Sequence, residues 1–180
     1  MTLKEMFAKV KTNPAFVGFI TTDQMVLAID VSAEQNADVD DFAVAYMGFT
    51  DRSSSLNPKE KTNSYYYHGE SSTKTGNQRT ITFKCDRYKG DPFQDFVTSF
   101  DMKYAKGQAA IVRYAWFNIL TGEGEIGSGS LILDDDGSGA PEENLSVGGS
   151  IKKVTLLLRC LLLTGLPSMT VTMRERTVLS

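Results

Sequence analysis

The sequence predicts a mainly β fold: antiparallel sheets in a sandwich or barrel-like arrangement, with one flanking α-helix at about residues 91–104. Three observations predict it. Residues 79–85 alternate, with Ile81, Phe83 and Cys85 on one face and Thr80, Thr82 and Lys84 on the other. Residues 110–120 and 126–133 read as two long strands joined by Thr121-Gly122-Glu123-Gly124. Between these lies Gly90-Asp91-Pro92-Phe93-Gln94-Asp95-Phe96. Asp91 suits an N-cap, Pro92 the first helical position, and Gln94 a capping-box partner. Beyond them Phe93, Phe96, Val97, Phe100 and Tyr104 fall at helical spacing, one apolar stripe that reads as the core face of a helix.

In chain order, Thr2 and Glu5 have capping-box spacing, and Leu3, Met6, Phe7 and Val10 share a face, which predicts a short helix over residues 2–10. Asn13-Pro14 ends it. So short a helix is marginal alone, so its apolar face must dock on its own domain or on a neighbour. Residues 15–20, 25–31 and 42–49 have strand composition. Residues 50–78 differ in kind: rich in Ser, Asn, Lys and Thr, they read as a long inter-strand loop, with Pro58 and few apolar groups outside Tyr65-Tyr66-Tyr67. A loop of that length in a compact domain is normally functional or disordered. Amphipathic rings in a polar excursion suit a contact surface. Leu133-Asp134-Asp135-Asp136-Gly137-Ser138-Gly139 reads as a flexible acidic turn and residues 144–149 as an edge strand. The leucine-rich run 154–163 fits a strand or a helix, and residues 169–179 alternate as a strand.

With 180 residues, 41% hydrophobic and 23% charged, the chain suits one globular domain. Its net charge of −3 and pI near 5.2 argue against a dedicated nucleic-acid binder. Two cysteines, Cys85 and Cys160, make no disulfide framework, and Cys85 on an apolar strand face reads as a buried free thiol. There is no signal-peptide core, and no run long enough to span a bilayer.

No catalytic, cofactor or metal site emerges from the residue pattern. His68, the one histidine, has no serine motif around it. Asp134-Asp135-Asp136-Gly137 lacks the ligand spacing of a calcium loop. Glu123 and Glu125, as an acid/base pair, would sit on a glycine-rich hairpin tip where rigid positioning is hard to arrange.

Ser64-Tyr65-Tyr66-Tyr67, Thr75-Gly76-Asn77-Gln78-Arg79, Gly90–Phe96 and Phe117–Glu125 together resemble the major tail tube proteins of long-tailed bacteriophages, in a co-linear series over about residues 65–149. The resemblance implies a virion protein, assembled in the host cytoplasm as hexameric rings stacked into a hollow tube. Other tail proteins would be its partners: tape measure, terminator and distal tail protein. It also implies a lumen that passes DNA without binding it specifically, and no cofactor. On that pattern Tyr65, Tyr66, Tyr67, His68 and Arg79 are subunit-contact candidates. Residues 50–78 are the bridging loop, residues 1–14 an arm, and Asp134, Asp135 and Asp136 lumen or interface acids. After about Lys152 the chain departs from the pattern. Residues 153–180 then have two readings, divergence or an end decoded in another frame. The competing function is a β-sandwich carbohydrate- or receptor-binding module of a phage tail.

Overall fold

A computed structural model describes residues 1–154 and the backbone of residues 158–161. Its strands are β1 (Met25–Ile29), β2 (Ala43–Val44), β3 (Phe49–Ser55), β4 (Pro58–Tyr65), β5 (Gly69–Asn77), β6 (Thr80–Asp86), β7 (Ile111–Asn118), β8 (Glu123–Ser138), β9 (Ser146–Lys153) and β10 (Leu158–Leu161). All pairings are antiparallel, and the main sheet runs β2-β1-β7-β8-β9-β6-β3, curled into a half-barrel. The mainly β, barrel-like expectation holds.

Strand composition follows which faces are covered. β1 and β7 are covered on both sides. Leu27, Ile29, Val112, Tyr114 and Trp116 enter one core, while Val26, Ala28, Ala115 and Phe117 enter a second. A strand buried on both faces reads as an unbroken apolar run. β6 is covered on one side only, so Ile81, Phe83 and Cys85 are buried and Thr82 and Lys84 exposed. Burial raises the Cys85 thiol pKa to about 11, leaving it an inert core thiol.

The second core is closed by α1 (Leu3–Phe7), whose Thr2–Glu5 capping box is formed as read from the sequence. Leu3 and Phe7 are buried, and Thr2 bridges to Ala43 at the β2 edge. The N-terminal helix therefore docks at home, and the reading of residues 1–14 as an arm loses its first half.

The first core is closed by α2 (Pro92–Val97), followed by α3 (Phe100–Lys103). The single helix over 91–104 is thus two. Ser99 accepts a hydrogen bond from Met102 N and starts α3 as a new helix, resetting the face. Phe93 and Val97 are buried, Phe96 is half-buried, and Phe100 is 77% exposed. Of the stripe's rings, Phe93 is therefore the one fully inside the core. Its ring meets Phe49 and Phe83 edge-on, at 5.2 and 5.4 Å. Gly149 makes room for that cluster, because a Cβ there would stand 2.6 Å from the Ile132 carbonyl and 3.0 Å from the Phe83 ring.

Other boundaries moved. Residues 15–20 form no strand, and of residues 42–49 only β2 and the first residue of β3 pair. Residues 144–149 begin β9, an interior strand between β6 and β8 rather than an edge. Residues 134–138 are no turn but the far end of β8. β10 pairs with β8 at Leu158↔Ile126, continuing the line of β9, whose Lys153 lies opposite Gly129. The alternation expected over 169–179 falls outside the described residues.

Candidate functional site: a polarised subunit surface

Residues 50–78, expected as a loop, are a β-ribbon. Ser55 lies opposite Thr80 and Pro58 opposite Asn77, so the β3–β6 register passes without a break into β4–β5. Gln78 N donates to Asn57 O at 3.2 Å across the junction, and Asn57 Nδ2 donates to Gln78 O and Thr80 Oγ1. Eight residues of β4 at about 3.3 Å each carry the ribbon about 26 Å past the sheet. Nearly all its side chains are exposed. A two-stranded ribbon without a covering layer is marginal in water.

Tyr65, Tyr66, Tyr67 and His68 make the ribbon's tip. Tyr65 pairs with Gly69, and His68 N donates to Tyr65 O. Tyr67 is fully exposed with φ +70°. That left-handed backbone is costly for a bulky side chain. Arg79, grouped with the tyrosines by sequence, sits apart from them. It is buried, and its Nε contacts Glu125 Oε1 at 2.6 Å. Glu125 is thereby committed to an ion pair, which removes it from the acid/base pair considered with Glu123.

Asp91 is buried at the start of α2 in N-cap backbone geometry, with Pro92 next, but its carboxylate makes no capping hydrogen bond. Gln94 does not reach back to it either. Its amide instead accepts from Tyr88 N at 2.7 Å and donates to Met47 O at 2.6 Å, tying two loops to the helix. Burial holds the Asp91 pKa above the usual carboxylate range. An acid whose folded pKa exceeds its unfolded one costs stability as pH rises from below the unfolded value through the folded one. Asp91→Asn is therefore expected to raise the urea midpoint at pH 7. The gain should vanish near pH ~3, where a carboxyl of ordinary pKa about 3.9 is mostly protonated in both states. Equal effects at both pH values would remove ionisation as the cause.

The acidic triplet is divided among local contacts. Asp136 pairs with Lys103, clamping α3 to β8. Asp135 accepts from Gly137 N and from Ser138 N and Oγ, which lowers its pKa. Asp134 is exposed. Among the described residues no three His, Cys, Asp or Glu gather as metal ligands would, and no helix is long and apolar enough to cross a membrane.

The strand registers give the sheet two unlike ends. At one end lie Met25, Asn118, Glu123, Lys153, Thr80 and Ser55, and from it the ribbon projects. The same end carries residues 13–20, anchored by Asn13 N donating to Leu120 O and by the 3-10 turn at Thr22–Gln24. In this strap Val17 and Phe19 are 95% and 97% exposed, with Phe16 and Ile20 also at the surface. Its composition reads as a strand, but apolar residues between Pro14 and Thr21 without a polar face are also the signal of an unpaired contact segment.

Recesses lie at the opposite end. One, of about 630 Å³, is walled by Thr50, Lys84, Asp86, Glu142, Glu143 and Asn144, at the far ends of β3 and β6. The other, of about 440 Å³, lies between Val31, Ala33, Phe96, Met102, Ala109 and Ile111, beyond the far ends of β1 and β7. Its rim is held by buried Asp30, which accepts from Ser32 N and Oγ, Ala37 N and Arg113 Nη1. Gln35, at φ +52°, completes the lock by accepting from Arg113 N.

Among the described residues no layer covers the sheet face opposite the first core across β3, β6, β9 and β8. Its rows run Ser53–Thr82–Ser150–Ile132 and Ser55–Thr80–Lys152–Ser130, with Ser53 Oγ and Thr82 Oγ1 2.6 Å apart. Ser150 alone of the row residues is buried, between its neighbours. The face is one of short hydroxyl side chains.

No protein-family model matches the chain, and no curated protein matches its sequence. Among solved structures, the fold is similar to a chain in the tail of an empty gene transfer agent (GTA) particle refined with C6 symmetry. The TM-score is 0.54 at 11% identity, over 77% of this chain and 97% of that one. A chain of the native GTA virion matches with TM-score 0.53 at 12% identity over the same shares.

Proposed function

We propose that the chain is a structural subunit of a phage-like virion tail, self-assembling into stacked, hexameric rings that form the tube through which DNA leaves the particle. The observation that carries this reading is the polarity of the subunit, with projecting elements at one end of the strands and recesses at the other. Copies laid end to end in one direction put each projection against the recess of the next, and such head-to-tail repetition gives rings or open stacks. The likeness of fold to chains of GTA particles, one of them in a tail refined with C6 symmetry, supports six as the ring number.

The parts have separate tasks. The outer edge of β3 has no strand partner among the described residues, whereas the β2 edge is occupied by Thr2. An open edge is a template for lateral pairing with the next copy in a ring. The Tyr66-Tyr67 tip reaches along the strand direction toward the acidic recess of the copy beyond. Lys59, Lys61 and Lys74 on the ribbon meet Asp86, Glu142 and Glu143 there. The hydroxyl face of Thr80, Thr82, Ser53 and Ser150 lines the lumen. Exposed Lys84 and Lys152 on that face are offset by Asp51 and Asp135, so it lacks the clustered positive charge that holds phosphates. Tape measure, terminator and distal tail proteins are the expected neighbours, with assembly in the host cytoplasm.

A structural rather than catalytic role accords with exposed His68 at the ribbon tip and with Glu125 held by Arg79. Negative-stain microscopy and sedimentation of concentrated protein test the proposal. Rings or tubes are expected, and a compact monomer at every concentration, also with tail initiation proteins added, would overturn it.

A further inference from the structure

The strap at residues 15–20 and the groove behind α2–α3 are both unsatisfied, and each has what the other lacks. Exposed Val17 and Phe19 leave large apolar surface in water, with no covering layer among the described residues. Phe16 folds back over its own backbone, so that a Cβ on Gly18 would meet the ring edge at 2.9 Å. The groove is lined by Val31, Phe96, Met102 and Ile111, and among the described residues its one charged lining residue is Asp101. Asp101 has no ion pair among the described residues, and neither do exposed Lys9 and Lys11 just before the strap.

The strap cannot fill the groove of its own chain. It is tethered at both ends beside Leu120 and Met25, whereas the groove opens beyond Ile29 and Ile111. The steps from Met25 to Val31, at about 3.3 Å each, put the two roughly 20 Å apart along the chain. A shift of one copy along the strands brings strap to groove. A shift in the same direction carries the ribbon, with Lys59, Lys61 and Lys74, over the acidic recess, because ribbon and recess occupy opposite ends of β3 and β6. For copies displaced along one axis, apolar thus meets apolar and basic meets acidic.

We propose that Phe16-Val17-Gly18-Phe19-Ile20 of one copy seats in the groove between the α2–α3 corner and the 31–35 loop of the next copy along the stack, with Lys9 or Lys11 facing Asp101. This deepens the self-assembly reading and rests on it. The occupant is a second copy of this chain, and the contact is axial, separate from lateral pairing at β3.

Cysteine cross-linking of assembled full-length protein tests it. In a Cys160→Ser background, with Cys85 buried, Phe19→Cys and Ala33→Cys are placed in one chain and treated with a short bismaleimide. A ladder of covalent multimers is expected on denaturing gels, with monomer alone from each single variant and dimers from a mixture of the two. Tubes that yield only monomer would overturn the strap contact and leave the assembly reading standing. Neither tubes nor ladder would overturn both. As a second measure, Phe19→Ser should raise the protein concentration needed for tube growth roughly tenfold, as loss of an interface anchor does, with an unchanged melting curve. Unaltered growth would count against the contact.

Discussion

Replacing residues 58–77 by an Asn-Gly turn is expected to abolish stacking while leaving the subunit folded. The ribbon beyond Asn57 and Gln78 adds no residue to either core, and its side chains are exposed nearly throughout. Deleting it should therefore change the stability of the sheet by less than about 1 kcal/mol, within the range of surface changes. The unbroken register makes a short turn feasible, because Asn57 and Gln78 already face each other as a hairpin would. Microscopy should show isolated rings or monomers in place of tubes, and urea melts should superimpose on the parent. Tubes of normal length from the shortened chain would remove the ribbon from the stacking contact. A large fall in stability would place it in the fold instead. A gentler variant, Tyr66→Ala, removes one exposed ring and should weaken stacking without ending it.

The ribbon also marks where the sequence became hard to read. Strands are recognised by an apolar face, and β4–β5 has none: Lys, Ser, Thr and Asn occupy both sides. It forms because β3 and β6 fix its register at the base, a tertiary effect that composition does not carry. By contrast, β6 was legible because just one of its faces is buried, and α1 because its cap is a local contact between Thr2 and Glu5. The 15–20 segment misled in the opposite direction. Its residues have strand composition, but a strand also needs a partner, and no described strand pairs with it. The helix after Asp91 was legible at its start. Its break was signalled only by Thr98-Ser99, and a second N-cap inside an apolar stripe is easily passed over. Of the contact candidates, the exposure of the tyrosines was legible because rings in a polar setting stand out. The burial of Arg79 was not, since it depends on Glu125, 46 residues further along.

That second cap governs the other large effect. Phe93→Ala is expected to destabilise the fold by about 3–5 kcal/mol, the cost of removing a fully buried ring from a core that relaxes only partly. Phe93 is 0% exposed and holds α2 to the sheet through edge-on contacts with Phe49 and Phe83. Such aromatic pairs add about 0.5–1.5 kcal/mol beyond their buried area. For a domain of this size each kcal/mol moves the melting temperature by about 2–4 °C, so the variant should melt about 6–20 °C lower. Phe100→Ala is the matched control, since the same chemistry is deleted from a ring 77% exposed on α3. Its stability should stay within about 0.5 kcal/mol of the parent. If both variants melted alike, the two positions would share one environment and the α2–α3 break at Ser99 would be wrong. If Phe93→Ala alone were costly, α2 would be the lid of the first core. Phe100, with the tilted Tyr104 ring beside it at 5.0 Å, would then remain surface for a neighbour to cover.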